Sequence, residues 1–136
     1  GDLSFRVTEA FSHFALFRFL EAKDSYKQRI FVTTSDHRRF MKCYFAFFIL
    51  RKRENQDCRN YLKNNIQDFL QYLIMADDID LFIEILAFDL ATEQDLTELA
   101  KFANHLKKYE IQIMLTRYQF ENFPENQEIS DKFALS

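Results

Sequence analysis

IQDFLQYLIMADDIDLFIEIL, residues 66–86, decides the fold, because LTELAKFANHLKKYEIQIMLT, residues 96–116, repeats its pattern thirty positions later. Ile66 stands against Leu96, Phe69 against Leu99, Leu73 against Ala103, Leu81 against Ile111 and Ile85 against Leu115. In each stretch apolar residues recur at helical spacing until a polar step interrupts them, Asp77-Asp78 in the first and Lys107-Lys108 in the second. Each stretch therefore reads as a helix, a turn of two or three residues and a shorter helix. A unit of this kind cannot bury its apolar side alone and must stack on a neighbour.

Working outward from this pair, helical periodicity accounts for nearly all the remaining chain. Thr8 caps a first helix to about Lys23, in which Phe11, Phe14, Ala15, Leu16, Phe19 and Leu20 cover an arc wider than one stripe. Asp24 to Ser35 is the least helical segment. Its Ile30-Phe31-Val32-Thr33-Thr34 has β-branched character, but a lone strand has no partner, so the segment reads as an extended connector. Ser35 or Asp36 caps a second helix with an amphipathic face of Phe40, Cys43, Tyr44, Phe47 and Phe48. Arg51-Lys52-Arg53 ends it, where positive charge suits a helix C-terminus. Asp57 opens a third helix carrying Leu62, Ile66, Phe69, Leu70 and Leu73, and Asp77-Asp78 breaks it and seeds a short fourth with Leu81, Phe82, Ile85 and Leu86. Thr92 and Asp95 resemble a capping box for the fifth, with Leu96, Leu99, Ala100 and Ala103. Ile111, Met114, Leu115 and Tyr118 form the sixth, and Phe123-Pro124 closes it. The expectation is an all-α protein of about six helices in consecutive antiparallel hairpins. A single helical domain covers 1–123, and a polar, loose tail covers 124–136.

Composition agrees with this reading and excludes several kinds of chemistry. The one glycine among 136 residues is Gly1. Phosphate-cradling loops, dinucleotide folds and nucleophile elbows need glycine where the backbone turns sharply or approaches a ligand. Seventeen Phe and no Trp make an aromatic, Phe-filled core, to which each fully buried Phe contributes about 2–3 kcal/mol. The richest apolar run, Cys43 to Leu50, is eight residues, short of the ~20 that cross a bilayer, so no membrane partner is expected. No charged-then-apolar leader opens the chain, and the cytoplasm is the expected location of the isolated domain. Its start at Gly1 rather than Met points to a piece of a longer protein or a processed product. Cys43 and Cys58, the only cysteines, match no metal spacing and read as two buried free thiols, with a disulfide as the alternative.

Asp77-Asp78-Ile79-Asp80-Leu81-Phe82 and Leu99-Ala100-Lys101-Phe102-Ala103-Asn104, with Glu110-Ile111 and Leu115, resemble degenerate ankyrin-type helical hairpins. They are similar in particular to helical modules near the C-termini of some large bacterial proteins. The resemblance covers about residues 57–120. It departs from regular ankyrin repeats in lacking the Thr-Pro-Leu-His tetrapeptide and the glycine of the inter-helix turn, so it does not carry over the β-hairpin fingers. The other reading of the period is a plain helical bundle whose amphipathic helices look alike.

Catalytic and metal constellations are not evident, and no cofactor is expected. His13, His37 and His105 are scattered, with no helical pair of the zincin kind. Asp77, Asp78 and Asp80 are the tightest carboxylate group; without a turn-making glycine and a terminal glutamate they fit helix-start capping better than a calcium loop. Charge is uneven: residues 1–60 hold 12 Lys and Arg against 7 Asp and Glu, while residues 61–136 hold 6 against 14. Arg38, Arg39, Lys42, Arg51, Lys52 and Arg53 flank one helix, with Phe40 and Tyr44 between them, a pattern that suits a nucleic-acid backbone. Against it, the chain is acidic overall, at net charge −3, and the aromatics fit the buried face. The expected function is a non-enzymatic protein-interaction or scaffolding module, part of a longer bacterial protein. Its contacts are expected at the exposed turns through Asp77, Asp78, Lys107, Lys108 and Tyr109. A helical nucleic-acid-binding regulator using Arg38, Arg39, Arg51, Lys52 and Arg53 is the alternative.

Overall fold

The computed structural model describes residues 17–123. The first-helix expectations on Thr8, Phe11, Phe14, Ala15 and Leu16, the placement of His13, and the tail 124–136 lie outside the described residues. The described residues form helices joined by short turns, with no strand. Residues 17–21 are helical, and seven further α-helices follow: α1 Asp24–Thr33, α2 Arg39–Lys52, α3 Gln56–Asn64, α4 Ile66–Met75, α5 Ile79–Leu86, α6 Glu93–His105 and α7 Tyr109–Asn122. A 3-10 turn, Asp36–Arg38, precedes α2. No helix of the described residues is long and apolar enough to cross a membrane. The chain divides into two compact units, Gly1–Asn65 and Ile66–Ser136.

The helix count exceeds six for two reasons. First, the segment expected to be an extended connector is helix α1. The β-branched run Ile30 to Thr34 disfavours helix by only a few tenths of a kcal/mol per residue, and a strand there would leave its backbone groups without a ladder. The helix instead buries Phe31, whose ring meets the edge of Tyr61 at 5.7 Å. Its threonines serve the helix end: Thr33 Oγ1 donates to Arg29 O at 2.9 Å and Thr34 Oγ1 to Ile30 O at 2.6 Å. Second, the third expected helix breaks at Asn65. The Asn65 amide donates to Leu62 O, and its side-chain Nδ2 donates to Tyr61 O at 2.9 Å, a local competition with helix that asparagine is suited to.

In the first unit α2 is the central element. Ser35 caps the 3-10 turn before it, its Oγ accepting from His37 N at 3.1 Å. The expected single face of Phe40, Cys43, Tyr44, Phe47 and Phe48 is too narrow. Met41, Cys43, Phe45, Ala46, Phe47 and Leu50 are the buried set, and they encircle most of the helix, because its sequence is apolar on every side. Helices α1 and α3 both pack on α2. Lys42 joins them: its Nζ donates to Thr34 O at 2.9 Å and lies over the rings of Phe31 and Tyr61. Asn55 caps α3 by accepting from Cys58 N at 3.1 Å, and its Nδ2 donates to Gln28 of α1 at 2.8 Å. Cys43 and Cys58 are fully buried thiols that no disulfide joins.

In the second unit two turns thirty residues apart share a backbone geometry. Asp77 and Lys107, thirty apart, both adopt the left-handed conformation, with φ of 57° and 61°. Around Asp77, Asp78 N donates to Leu73 O at 3.0 Å and Asp77 N to Ile74 O at 3.2 Å. Around Lys107, Lys108 N donates to Ala103 O at 2.8 Å and Lys107 N to Asn104 O at 2.9 Å. These are two copies of one helix-terminating motif, built without the usual glycine. Helices α5 and α7 then start thirty residues apart, at Ile79 and Tyr109. All ten residues of the five aligned apolar pairs are buried, from Ile66 and Leu96 to Ile85 and Leu115. Helix α6 opens on the expected capping box: Thr92 Oγ1 accepts from Asp95 N at 3.1 Å and Asp95 Oδ2 from Thr92 N at 2.9 Å. Helix α4 packs on α5 and on α6, and α6 on α7.

Candidate functional site

The two turns of the second unit lie side by side, and one lysine holds them there. Lys108, the residue after the left-handed Lys107, extends its Nζ to Ile74 O at 2.7 Å and to the carboxylate of Asp77. A cation at these carbonyls complements the C-terminus of α4. Asp78, its counterpart thirty residues earlier, turns inward and caps α5, its Oδ1 accepting from Leu81 N at 3.4 Å. The structure therefore brings Asp77, Asp78, Lys107, Lys108 and Tyr109 to one edge. Asp77, Lys107 and Tyr109 are exposed, whereas Asp78 and Lys108 are half-buried and hold the edge together. Met75 and Leu106, exposed at the ends of α4 and α6, add apolar surface to it. A second tie fixes the far end of the stack, where Tyr118 OH donates to Leu86 O at 2.7 Å.

The basic residues do not form one patch. Arg38 and Arg39 stand at the start of α2, and Arg51, Lys52 and Arg53 at its end. At 1.5 Å per residue these clusters are about 20 Å apart. Arg39 stacks over Phe40 and Arg51 over Phe48, at 5.0 and 4.6 Å from the ring centres. Lys42, in the first turn of α2, is occupied by Thr34 and the two rings. Beside the C-terminal cluster Lys27 is buried, its ammonium 5.8 Å from the centre of the Phe19 ring. The hydrogen bond with Lys52, then burial, hold Lys27 below the usual lysine range, with nearby Asp24 opposing them.

His37 is exposed in the 3-10 turn and His105 at the end of α6. Among the described residues no three of His, Cys, Asp and Glu are grouped to hold a metal ion. Burial, with a smaller contribution from Asp57, pushes the Cys58 thiol up to about 12, so it stays protonated and unreactive at neutral pH. Burial likewise raises the phenols of Tyr61 and Tyr118. A cleft of about 740 Å³ opens in the first unit between α1 and the start of α2, with Phe19, Tyr26, Ile30, Arg38, Met41 and Phe45 among its walls.

Sequence reading missed the apolar side chains that the second unit leaves in water, Met75, Ile83, Leu106, Ile113 and Phe120. Ile83 and Ile113 occupy the same position in the two copies. The signal was present: Tyr109, Ile113 and Phe120 recur at helical spacing on the side of α7 opposite Ile111 and Leu115. Compared with known proteins, the chain matches no family model, no curated protein and no solved structure.

Proposed function

We propose that the chain is a non-enzymatic protein-interaction module whose second unit presents its turn edge to a partner protein. The stacked units are read as two degenerate ankyrin-type hairpins, in which turns and inner helices supply the contact surface. One observation carries the reading. The Lys108 bridge to Ile74 and Asp77 fixes two turns beside each other, and the edge so formed exposes Met75, Leu106 and Tyr109 among the charges of Asp77 and Lys107. A fixed edge of mixed apolar and charged groups suits recognition of a folded protein, since little order is lost on binding.

The test is capture by the immobilised full chain from nuclease-treated lysate of the cells that make it, compared with the Met75→Asp/Lys107→Glu variant. A stoichiometric protein partner retained by the native chain and lost by the variant is the expected result. A partner that binds both equally, or recovery that requires intact nucleic acid, overturns the reading.

A further inference from the structure

Helix α7 has two apolar faces. One, with Ile111 and Leu115, is buried in the second unit; the other carries Tyr109, Ile113 and Phe120, which are 54%, 61% and 52% exposed. Thr116, also exposed, completes a 109, 113, 116, 120 series. Those steps of four, three and four are the spacing of a helix–helix seam. Glu110 and Arg117 flank the series on one side and Gln112 and Gln119 on the other.

We infer that this face packs, antiparallel, on the same face of a second copy of the chain. Self-complementarity singles out that occupant. A two-fold axis between Ile113 and Thr116 sets Tyr109 against Phe120 of the other copy and Ile113 against its Thr116. The same axis sets Glu110 against Arg117 of the other copy, twice over, and Gln112 against its Gln119. In a parallel arrangement Glu110 meets no basic residue, and nothing on a foreign helix would require acid and base to lie at these two flanking positions. The seam is three to four turns long and buries less than the roughly 800 Å² per partner of a standard interface. Association is therefore weak and rises with concentration. The pair would display two turn edges at once, which strengthens binding to any multivalent partner.

Sedimentation equilibrium of the full chain, from low micromolar to near-millimolar concentration, tests this. A monomer–dimer equilibrium is expected. Glu110→Arg and Arg117→Glu each weaken it roughly tenfold by replacing two attractions with two repulsions, and the double variant restores it. Ile113→Asp abolishes association and leaves the melting temperature nearly unchanged, because Ile113 is exposed in the monomer. A chain that stays monomeric throughout overturns the inference, and so does a dimer indifferent to the single charge changes or not restored by the double one. A chain ending at Phe123 that self-associates where the full chain does not would assign the face to residues 124–136 instead. Self-association and foreign-protein capture are separate readouts, so this inference and the turn-edge reading fail independently.

Discussion

In the first copy of the thirty-residue unit, Leu70, Ile74, Phe82 and Leu86 are buried. Thirty residues later the same positions hold Ala100, Asn104, Gln112 and Thr116, and all four are half-buried or exposed. The turns of the two copies nevertheless share their left-handed residue and its hydrogen bonds. The two copies therefore share an inner face, which is buried in both, and differ at these outer positions, which are buried in the first copy and open in the second.

The sharpest way to break this comparison is to shorten the same register position in both copies. Phe82→Ala empties a fully buried site and is expected to cost about 3–5 kcal/mol, whereas Gln112→Ala should stay within about 0.5 kcal/mol. Urea unfolding of the full chain measures both. Equal losses would show that the outer faces do not differ in what covers them. Removing the tie between the turns comes next. Lys108→Met keeps the side-chain stem but loses the charge-assisted bond to Ile74 O, at an expected cost of about 1–2 kcal/mol. Asp77→Asn, which keeps a short polar side chain suited to positive φ, should cost less, because the carboxylate is largely exposed and the ion pair is screened. The reverse order would mean that the ion pair, not the carbonyl bond, holds the turns together.

What the amino-acid pattern made legible is the inner face. The five aligned apolar pairs, the capping box at Thr92 and the breaks at Asp77-Asp78 and Lys107-Lys108 are short-range features, and helical period and end chemistry report them directly. The features that stayed hidden depend on partners distant in sequence. Ile30 to Thr34 looks extended when judged by β-branching, but burial of Phe31 against Tyr61, thirty residues away, outweighs that preference. Helix α2 appeared to have one face because the period identifies a stripe, and a helix surrounded by packed neighbours has no stripe to find. The basic cluster looked continuous in sequence until the length of α2 separated its ends. For the candidate edge, residue type placed Asp77, Lys107 and Tyr109 at exposed turns, but the turn of Lys108 back to the Ile74 carbonyl rather than to solvent depends on the folding of the chain over 34 residues.

The smallest expected effect probes the turns themselves. Both copies place a residue with a Cβ at positive φ, where glycine is the unstrained choice, and the copies differ in what that residue does there. Aspartate tolerates the left-handed region better than lysine, since its short polar side chain bonds locally, and Asp77 also receives the Lys108 ammonium. Lys107 is exposed and makes no comparable bond among the described residues. Lys107→Gly is therefore expected to stabilise the chain by about 0.5–1 kcal/mol, the relief of backbone strain exceeding the added freedom of the unfolded state. Asp77→Gly relieves less strain and forfeits the ion pair, so its net effect should lie near zero or slightly below. Thermal unfolding of the two variants side by side gives the answer. A larger gain at Asp77 than at Lys107 would mean that the Lys108 contact contributes nothing, and that the turns stay adjacent through the packing of α4 against α6 alone.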